Sequence, residues 1–199
     1  VIIYATGFDN HRWLYPINIV GREGKVLANE WGDDPQANLG ITVPGYPNLF
    51  CIYGPATNLA HAGSLVFNSE CQVRYILGCI GAILENDCQL MECTEEANAE
   101  YNERLQEWVK QLVWANGSTN NWYKNSKGKV TANLPWRLVD YWQWTREPDL
   151  SQSAEESRIA DTHAAGIALC ASRQSSAVSS RGIQSRNTLF LSCDHFPCR

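Results

Sequence analysis

Two polar stretches, each at the end of an apolar run, are placed to hold a ligand by its edge. The run Leu49-Phe50-Cys51-Ile52-Tyr53 stops at Gly54-Pro55, and Ala56-Thr57-Asn58-Leu59 leads from there into a long apolar segment beginning near His61. A buried strand, a Gly-Pro turn and a buried helix in that order bring the first-turn N–H groups of the helix to one point. Those groups lack intrahelical partners, and the dipole adds partial positive charge there. Such a turn suits an anion or the polar edge of a ring. The second stretch is Ala5-Thr6-Gly7-Phe8-Asp9, following the apolar Val1-Ile2-Ile3-Tyr4. Its small residues let backbone approach a cofactor closely.

Other chemistry-bearing residues read more plainly. His61 lies beside the first turn and is read as structural. Arg74 follows Glu70 by four positions on one helix face, the spacing of an ordinary ion pair. Asp33-Asp34 and Glu95-Glu96 read as solvated acidic turns. Asn116-Gly117-Ser118 matches a glycosylation triplet but reads as a bystander in a cytosolic fold. Eight cysteines include no Cys-x-x-Cys pair, which favours buried free thiols in a reducing compartment. Cys193, His195 and Cys198 lie at the end of the chain without a second ligand pair, so no metal site is assigned.

The ordered motifs resemble a known family. ATGFD from Ala5, LGITVPGYPNLF from Leu39, YGPATNLAHAGS from Tyr53 and ECQVRYI from Glu70 are similar to the C-terminal part of flavin-dependent monooxygenases. The resemblance is to the type I Baeyer–Villiger monooxygenases, and within them to the 4-hydroxyacetophenone monooxygenase-like branch. It continues through Tyr101-Asn102-Glu103-Arg104, Asn121–Asn125 and Val139–Trp142, and covers about residues 1–149.

The resemblance implies an α/β fold of two dinucleotide-binding, Rossmann-like domains, of which this chain is a fragment: the C-terminal part of the FAD domain with added helices. It implies tightly bound FAD, reduction by NADPH, and insertion of one oxygen atom from O2 beside a ketone carbonyl through a peroxyflavin. On that reading Ala5, Thr6 and Gly7 form the turn back to the FAD domain, with Asp9 just beyond. Gly54, Pro55, Thr57, Asn58 and Leu59 line the pyrimidine side of the isoalloxazine. A helix N-terminus would favour the negative N1–C2=O of reduced flavin by up to about 2 kcal/mol, and Gly54 would be glycine so that backbone reaches the ring.

No catalytic residue is assigned, because the family's arginine, its fingerprint motif and both G-x-G-x-x-G loops are absent from this chain. Most of the NADPH site is likewise expected outside it, and the chain alone is expected to be inactive. A fragment of an N- or S-oxygenating flavin monooxygenase is the rival enzyme reading, since that group shares the ATG turn. An inactive remnant with only interaction capacity is the other. The expected partners are a ketone or other soft organic substrate and O2, with homodimer formation left open.

The elements that must position these residues follow from periodicity. Val1–Tyr4 reads as a strand of a parallel sheet, and Leu49–Tyr53 as a second buried strand. From about His61 to Leu84 the chain is apolar around most of its circumference, which predicts a buried helix. Trp13–Val20, the turn Gly21–Gly24 and Lys25–Leu27 predict a hairpin-type excursion with Gly24 at positive φ, and Leu27–Trp31 one helical turn. Tyr101, Leu105, Trp108, Val109, Leu112 and Val113 form one stripe of a helix over 95–114, capped by Thr94. Lys127-Gly128 predicts a tight turn, and 134–146 a last helix with Pro135 in its first turn.

Composition sets the frame. In 199 residues, 44% hydrophobic and 19% charged, a globular core is expected. A net charge of −5 argues against nucleic acid or an anionic membrane surface as partner. The polar residues Glu70, Gln72 and Arg74 make the long helix a core helix and not a membrane span, so the expected location is cytoplasmic. All eight Trp and all five Lys precede residue 150, whereas ten Ser and five Arg follow it. Residues 150–199 are therefore expected to be a disordered tail unrelated to the family.

Overall fold

Helix α2, Leu65–Glu85, is the longest described element, and Cys88–Cys93 and Leu138–Trp144 pack on it. The computed structural model describes residues 1–5, 7, 10–59, 63–116 and 121–157. The other elements are α1 (Leu27–Trp31), β1 (Cys88–Cys93), α3 (Glu95–Val109), α4 (Leu138–Trp144) and β2 (Ser153–Ser157). Single 3-10 turns occupy Arg22–Gly24 and Leu150–Gln152.

Ser64 caps α2 by accepting from the Phe67 N–H at 3.3 Å. Asn68, Cys71, Gln72, Tyr75 and Cys79 recur at helical spacing and are buried. They meet Ile41, Met91, Leu105, Leu134 and Tyr141 in the main core. A smaller core gathers Leu27, Trp31, Ala37, Val43, Tyr46 and Cys51. Thr94 caps α3 as expected, accepting from Ala97 N–H at 3.2 Å. α1 stands where expected, and Gly24 has φ +74.

Several expectations are corrected. α2 begins at Leu65 instead of near His61, and only one of its faces is buried, because Val66, Leu77 and Leu84 point outward. Val1–Tyr4 is an exposed coil that pairs with no strand among the described residues. Leu49–Tyr53 is not a strand. Phe50 makes one isolated bridge with Thr42, and positive φ at Asn48 and Tyr53 ends the extended backbone on either side. α3 stops at Val109, leaving Val113 exposed. The last helix starts at Leu138, since Leu134–Trp136 is drawn into extended backbone by the pairing of Asn133 with Asn58.

β1 was not foreseen. It pairs antiparallel with β2, Met91 opposite Glu155 and Cys93 opposite Ser153. Expected disorder from residue 150 therefore does not hold for the first eight tail residues, which form the Leu150–Gln152 turn and β2. Residues 158–199, with Cys170, Cys193, His195 and Cys198, lie outside the described residues. No described helix is long and apolar enough to cross a membrane.

Candidate functional site

The Gly54–Leu59 turn is braced by a segment that the sequence did not single out, Val130–Leu134. Ala56 N–H donates to Thr131 C=O and Asn58 N–H to Ala132 C=O, both at 2.9 Å. Leu134 N–H returns to Asn58 C=O at 2.9 Å, and Asn58 and Asn133 form a parallel bridge. Extended pairing sends alternate amides to opposite sides. The N–H groups of Thr57 and Leu59 accordingly face away from the brace and have no partner among the described residues.

Side chains fix the turn from within. Thr57, fully buried, donates its hydroxyl to Gly54 C=O at 2.7 Å. Asn68 of α2 donates to Thr57 C=O at 3.0 Å. The Tyr53 hydroxyl donates to Asn58 Oδ1 at 2.6 Å, and Asn58 Nδ2 donates to Asn133 Oδ1 at 2.9 Å. Beneath them Gln72 accepts from Tyr53 N–H at 2.8 Å and donates to the Tyr141 hydroxyl, which donates to Leu39 C=O at 2.7 Å. The two buried polar residues of α2, Asn68 and Gln72, thus serve the turn and not the helix.

Gly54 is constrained by the protein's own packing. A Cβ there would lie 2.2 Å from Gly40 O and 2.8 Å from Cys51 Cβ. Its missing side chain admits the Gly40 carbonyl. Gly40, at φ +68, is equally constrained, since a Cβ there would meet Thr57 Cγ2 at 2.1 Å.

The N-terminal stretch arrives at the same brace. His11 Nδ1 lies 2.9 Å from Thr131 Oγ1, and Asn10 Nδ2 donates to Trp122 C=O at 2.6 Å. The rings of Trp13 and Tyr53 pack with centroids 6.2 Å apart. Thr131 therefore joins the Gly54–Leu59 turn, through its carbonyl, to His11, two positions past the Ala5–Asp9 stretch, through its hydroxyl. Ala5 and Gly7 are exposed, with Gly7 at φ +78. Thr6, Asp9 and His61 lie outside the described residues, as do Gly117 and Ser118 of the glycosylation triplet.

Burial and hydrogen bonding give the site its chemical character. Gly54, Pro55 and Thr57 are buried, Asn58 and Leu59 are half-buried, and Tyr53 stands at the surface. Desolvation raises the Tyr53 phenol above its ordinary range. Asn133 Nδ2 and Asn68 Oδ1 are buried and without a partner among the described residues, a donor and an acceptor flanking the Thr57-Asn58 peptide. Buried polar groups left unpaired are costly, at about 1–3 kcal/mol each. A pyrimidine-type ring edge, with carbonyl acceptors and an N–H donor, calls for the same two kinds of group. The turn therefore fits the group the family resemblance implies. The fit rests on free amides and orphaned side-chain atoms, since the N-terminus of α2 stands further along, at Leu65.

The remaining candidates are structural. Arg74 turns from Glu70 to α4, donating to Trp142 C=O at 2.9 Å with its guanidinium over the indole at 5.3 Å. Asp33 and Asp34 are partly exposed, as expected of an acidic turn, and both have partners. Asp34 pairs with Lys129 at 2.8 Å, and the Ser126 hydroxyl donates to Asp33, which holds that carboxyl below its ordinary value. They pin the 125–129 turn that feeds the brace. Cys51, Cys71, Cys79, Cys88 and Cys93 are free and buried. Burial pushes the thiols of Cys51, Cys79 and Cys93 up to about 11.

Asn133 and Thr131 are the residues sequence reasoning missed. The available signal was Val130-Thr131-Ala132-Asn133-Leu134, an extended-type run between the Lys127-Gly128 turn and Pro135.

Comparison with known proteins follows this geometry. No family model matches the chain. An uncharacterised monooxygenase of Sinorhizobium fredii, y4iD, is 38% identical over 151 residues, 75% of this chain and 23% of that protein. The FAD-binding monooxygenase ktnD of Aspergillus niger is 35% identical over 71% of this chain and 24% of its own length. A Baeyer–Villiger monooxygenase of Pseudomonas aeruginosa is 34% identical over 61% of this chain and 23% of its own. Among solved structures, cyclohexanone monooxygenase from Rhodococcus sp. Phi1 bound to NADP+ superposes with a TM-score of 0.62 at 25% identity, over 77% of this chain and 29% of that one. The chain spans about a quarter of the length of the curated relatives it matches. Its fold is an α/β piece of the two-dinucleotide-domain flavoprotein monooxygenases.

Proposed function

Because the aligned three quarters of this chain is homologous to a stretch of the Baeyer–Villiger-type flavin monooxygenases, we propose that it is part of an FAD- and NADPH-dependent enzyme that inserts one oxygen atom from O2 beside a ketone carbonyl. The observation that carries this reading is the Gly54–Leu59 turn, where Asn68 Oδ1 and Asn133 Nδ2 are buried without a partner among the described residues on either side of the Thr57-Asn58 peptide. When bound, the flavin supplies the oxygen chemistry and NADPH the electrons.

The chain's own contribution is to bind and orient. Thr57 and Leu59 N–H, with the amides of Asn68 and Asn133, hold the pyrimidine edge. The buried Gln72–Tyr141–Leu39 chain keeps the turn from shifting as a ligand arrives. Trp13 and Tyr53, packed ring against ring, stand at the surface beside the turn. On the same reading Ala5, Thr6, Gly7 and Asp9 are assigned to the cofactor as well. Five buried free thiols suit a reducing compartment, and we assign the protein to the cytoplasm.

The test uses the full-length polypeptide of which this chain is a part. It should purify with FAD and consume NADPH faster when a cyclic or aryl ketone is added. The 199-residue chain alone should show no such consumption. Full-length protein that takes up no flavin would overturn the reading.

A further inference from the structure

A cavity of about 250 Å3 lies against α3, and no residue of the Gly54–Leu59 turn lines it. Ala97, Glu100, Tyr101 and Arg104 reach it from α3, at the three- and four-residue spacing of one helix face. Tyr75 comes from α2, Trp144 from the end of α4, and Asp149 from just beyond it. Arg104 is held by stacking. Its guanidinium carbon lies 5.3 Å from the ring centroid of Trp136 and 4.7 Å from that of Trp144, and the two indoles meet edge-on at 5.0 Å. Stacking fixes the plane of a guanidinium and leaves its N–H edge available. That edge makes no hydrogen bond or ion pair among the described residues, although Glu100 stands one turn away on the same helix. The Tyr101 hydroxyl is buried and also lacks a partner among the described residues. Asp149 Oδ1 accepts from the N–H and hydroxyl of Ser151, at 3.1 Å and 2.6 Å, and Oδ2 is left over.

We propose that this cavity binds a small zwitterion, an α-amino acid with a short aliphatic side chain. Its carboxylate lies on the Arg104 fork and its ammonium between Glu100 and Asp149. The lining charges select this class. A simple anion or a phosphate meets two carboxylates against one guanidinium, and a simple cation meets Arg104. An apolar ligand takes three charged groups out of water with nothing in return. A neutral hydroxylated ligand forgoes the pairing of ion with ion, which makes the stronger hydrogen bonds at both ends of a zwitterion. Size narrows the choice further. The cavity falls below the roughly 300–1,000 Å3 of sites for drug-sized ligands. It holds about eight waters at about 30 Å3 each, which suits a molecule the size of valine and excludes a nucleotide. Leu39 and Ala97 supply apolar surface for the side chain. Because the turn residues take no part, the site stands whether or not the protein carries flavin.

The test is calorimetric titration of the full-length polypeptide with L-valine, and with isovalerate and isobutylamine, which carry the carboxylate and the amine separately. L-valine should bind with a Kd of about 1 mM or tighter, and each half at least about tenfold more weakly. Arg104→Met should abolish L-valine binding. That change also removes the stacking on Trp136 and Trp144, so Glu100→Gln, at an exposed position, serves as the second variant. It should weaken L-valine by about tenfold and leave isovalerate no weaker than before. No L-valine binding tighter than about 10 mM overturns the proposal. Isovalerate bound as tightly as L-valine does so as well, since it makes the site one for plain anions. Unchanged affinity in Glu100→Gln overturns it too, because the amino acid then sits elsewhere.

Discussion

Asn58 and Asn133 face one another across 75 positions of sequence, with Asn58 Nδ2 donating to Asn133 Oδ1 at 2.9 Å. The pair joins the candidate ligand turn to its brace. Asn133→Leu removes the acceptor and strands the half-buried Asn58 donor, at a cost of about 1 kcal/mol. Urea unfolding should show that loss, and the full-length protein should retain less FAD. Asn133→Asp keeps the acceptor and should lie closer to wild type in stability. Equal loss from both substitutions would mean that the pairing is not what matters at this position.

Two glycines should respond to alanine with opposite signs. At Gly54 a Cβ meets the Gly40 carbonyl, backbone that has nowhere to go, so Gly54→Ala should destabilise by about 1–3 kcal/mol. Gly81 lies inside α2 with nothing within 4 Å of an added Cβ. Gly81→Ala should stabilise by up to about 1 kcal/mol, through helix propensity. Thermal unfolding of the two variants side by side checks both.

Arg74 reports on the α2–α4 contact. Arg74→Met loses the hydrogen bond to Trp142 C=O and the stacking on its ring, and should cost about 1–3 kcal/mol. Glu70→Gln should stay within about 0.5 kcal/mol in the 199-residue chain. An ion pair between the two would make the losses comparable, so matched values from chemical denaturation would overturn this account.

Alkaline pH should weaken the fold through its thiols. Burial raises Cys51, Cys79 and Cys93 from about 9 to about 11, because the interior disfavours the thiolate. A folded-state value above the unfolded one means that the folded chain holds its protons longer. Their contribution is complete below pH 9 and is lost as pH rises toward 11. The urea midpoint should be level up to about pH 9 and fall above it. Replacing the three cysteines with alanine should flatten that fall.

Local chemistry was legible and distant pairing was not. Thr94 as a cap, Gly24 at positive φ, the Leu27–Trp31 turn and the polar turn after Gly54 are set by residues within a few positions of each other. β1 could not be read in the same way. Cys88-Gln89-Leu90-Met91-Glu92-Cys93 has no β-branched residue, and its strand character comes from β2, more than sixty positions later. The start of α4 was misplaced for a related reason, since Asn58 holds Asn133 extended and delays the helix to Leu138. In the site, the turn announced itself through Gly54-Pro55, but its support did not. Asn133 looks like any loop asparagine until Asn58 is beside it. The outward face of α2 misled in the opposite direction, because a mostly apolar circumference reads as burial although Val66, Leu77 and Leu84 stand exposed.

The β1–β2 pairing bears on where this polypeptide can be cut. The family-like region was expected to end at Asp149, and an expression boundary placed there would look natural. Such a cut removes β2 and lays open the backbone N–H and C=O groups of Cys88–Cys93 along one edge. An uncovered edge of that kind recruits strands from other molecules. A chain trimmed after Ser157 keeps the edge covered and should stay dispersed in solution, whereas one trimmed at Asp149 should precipitate.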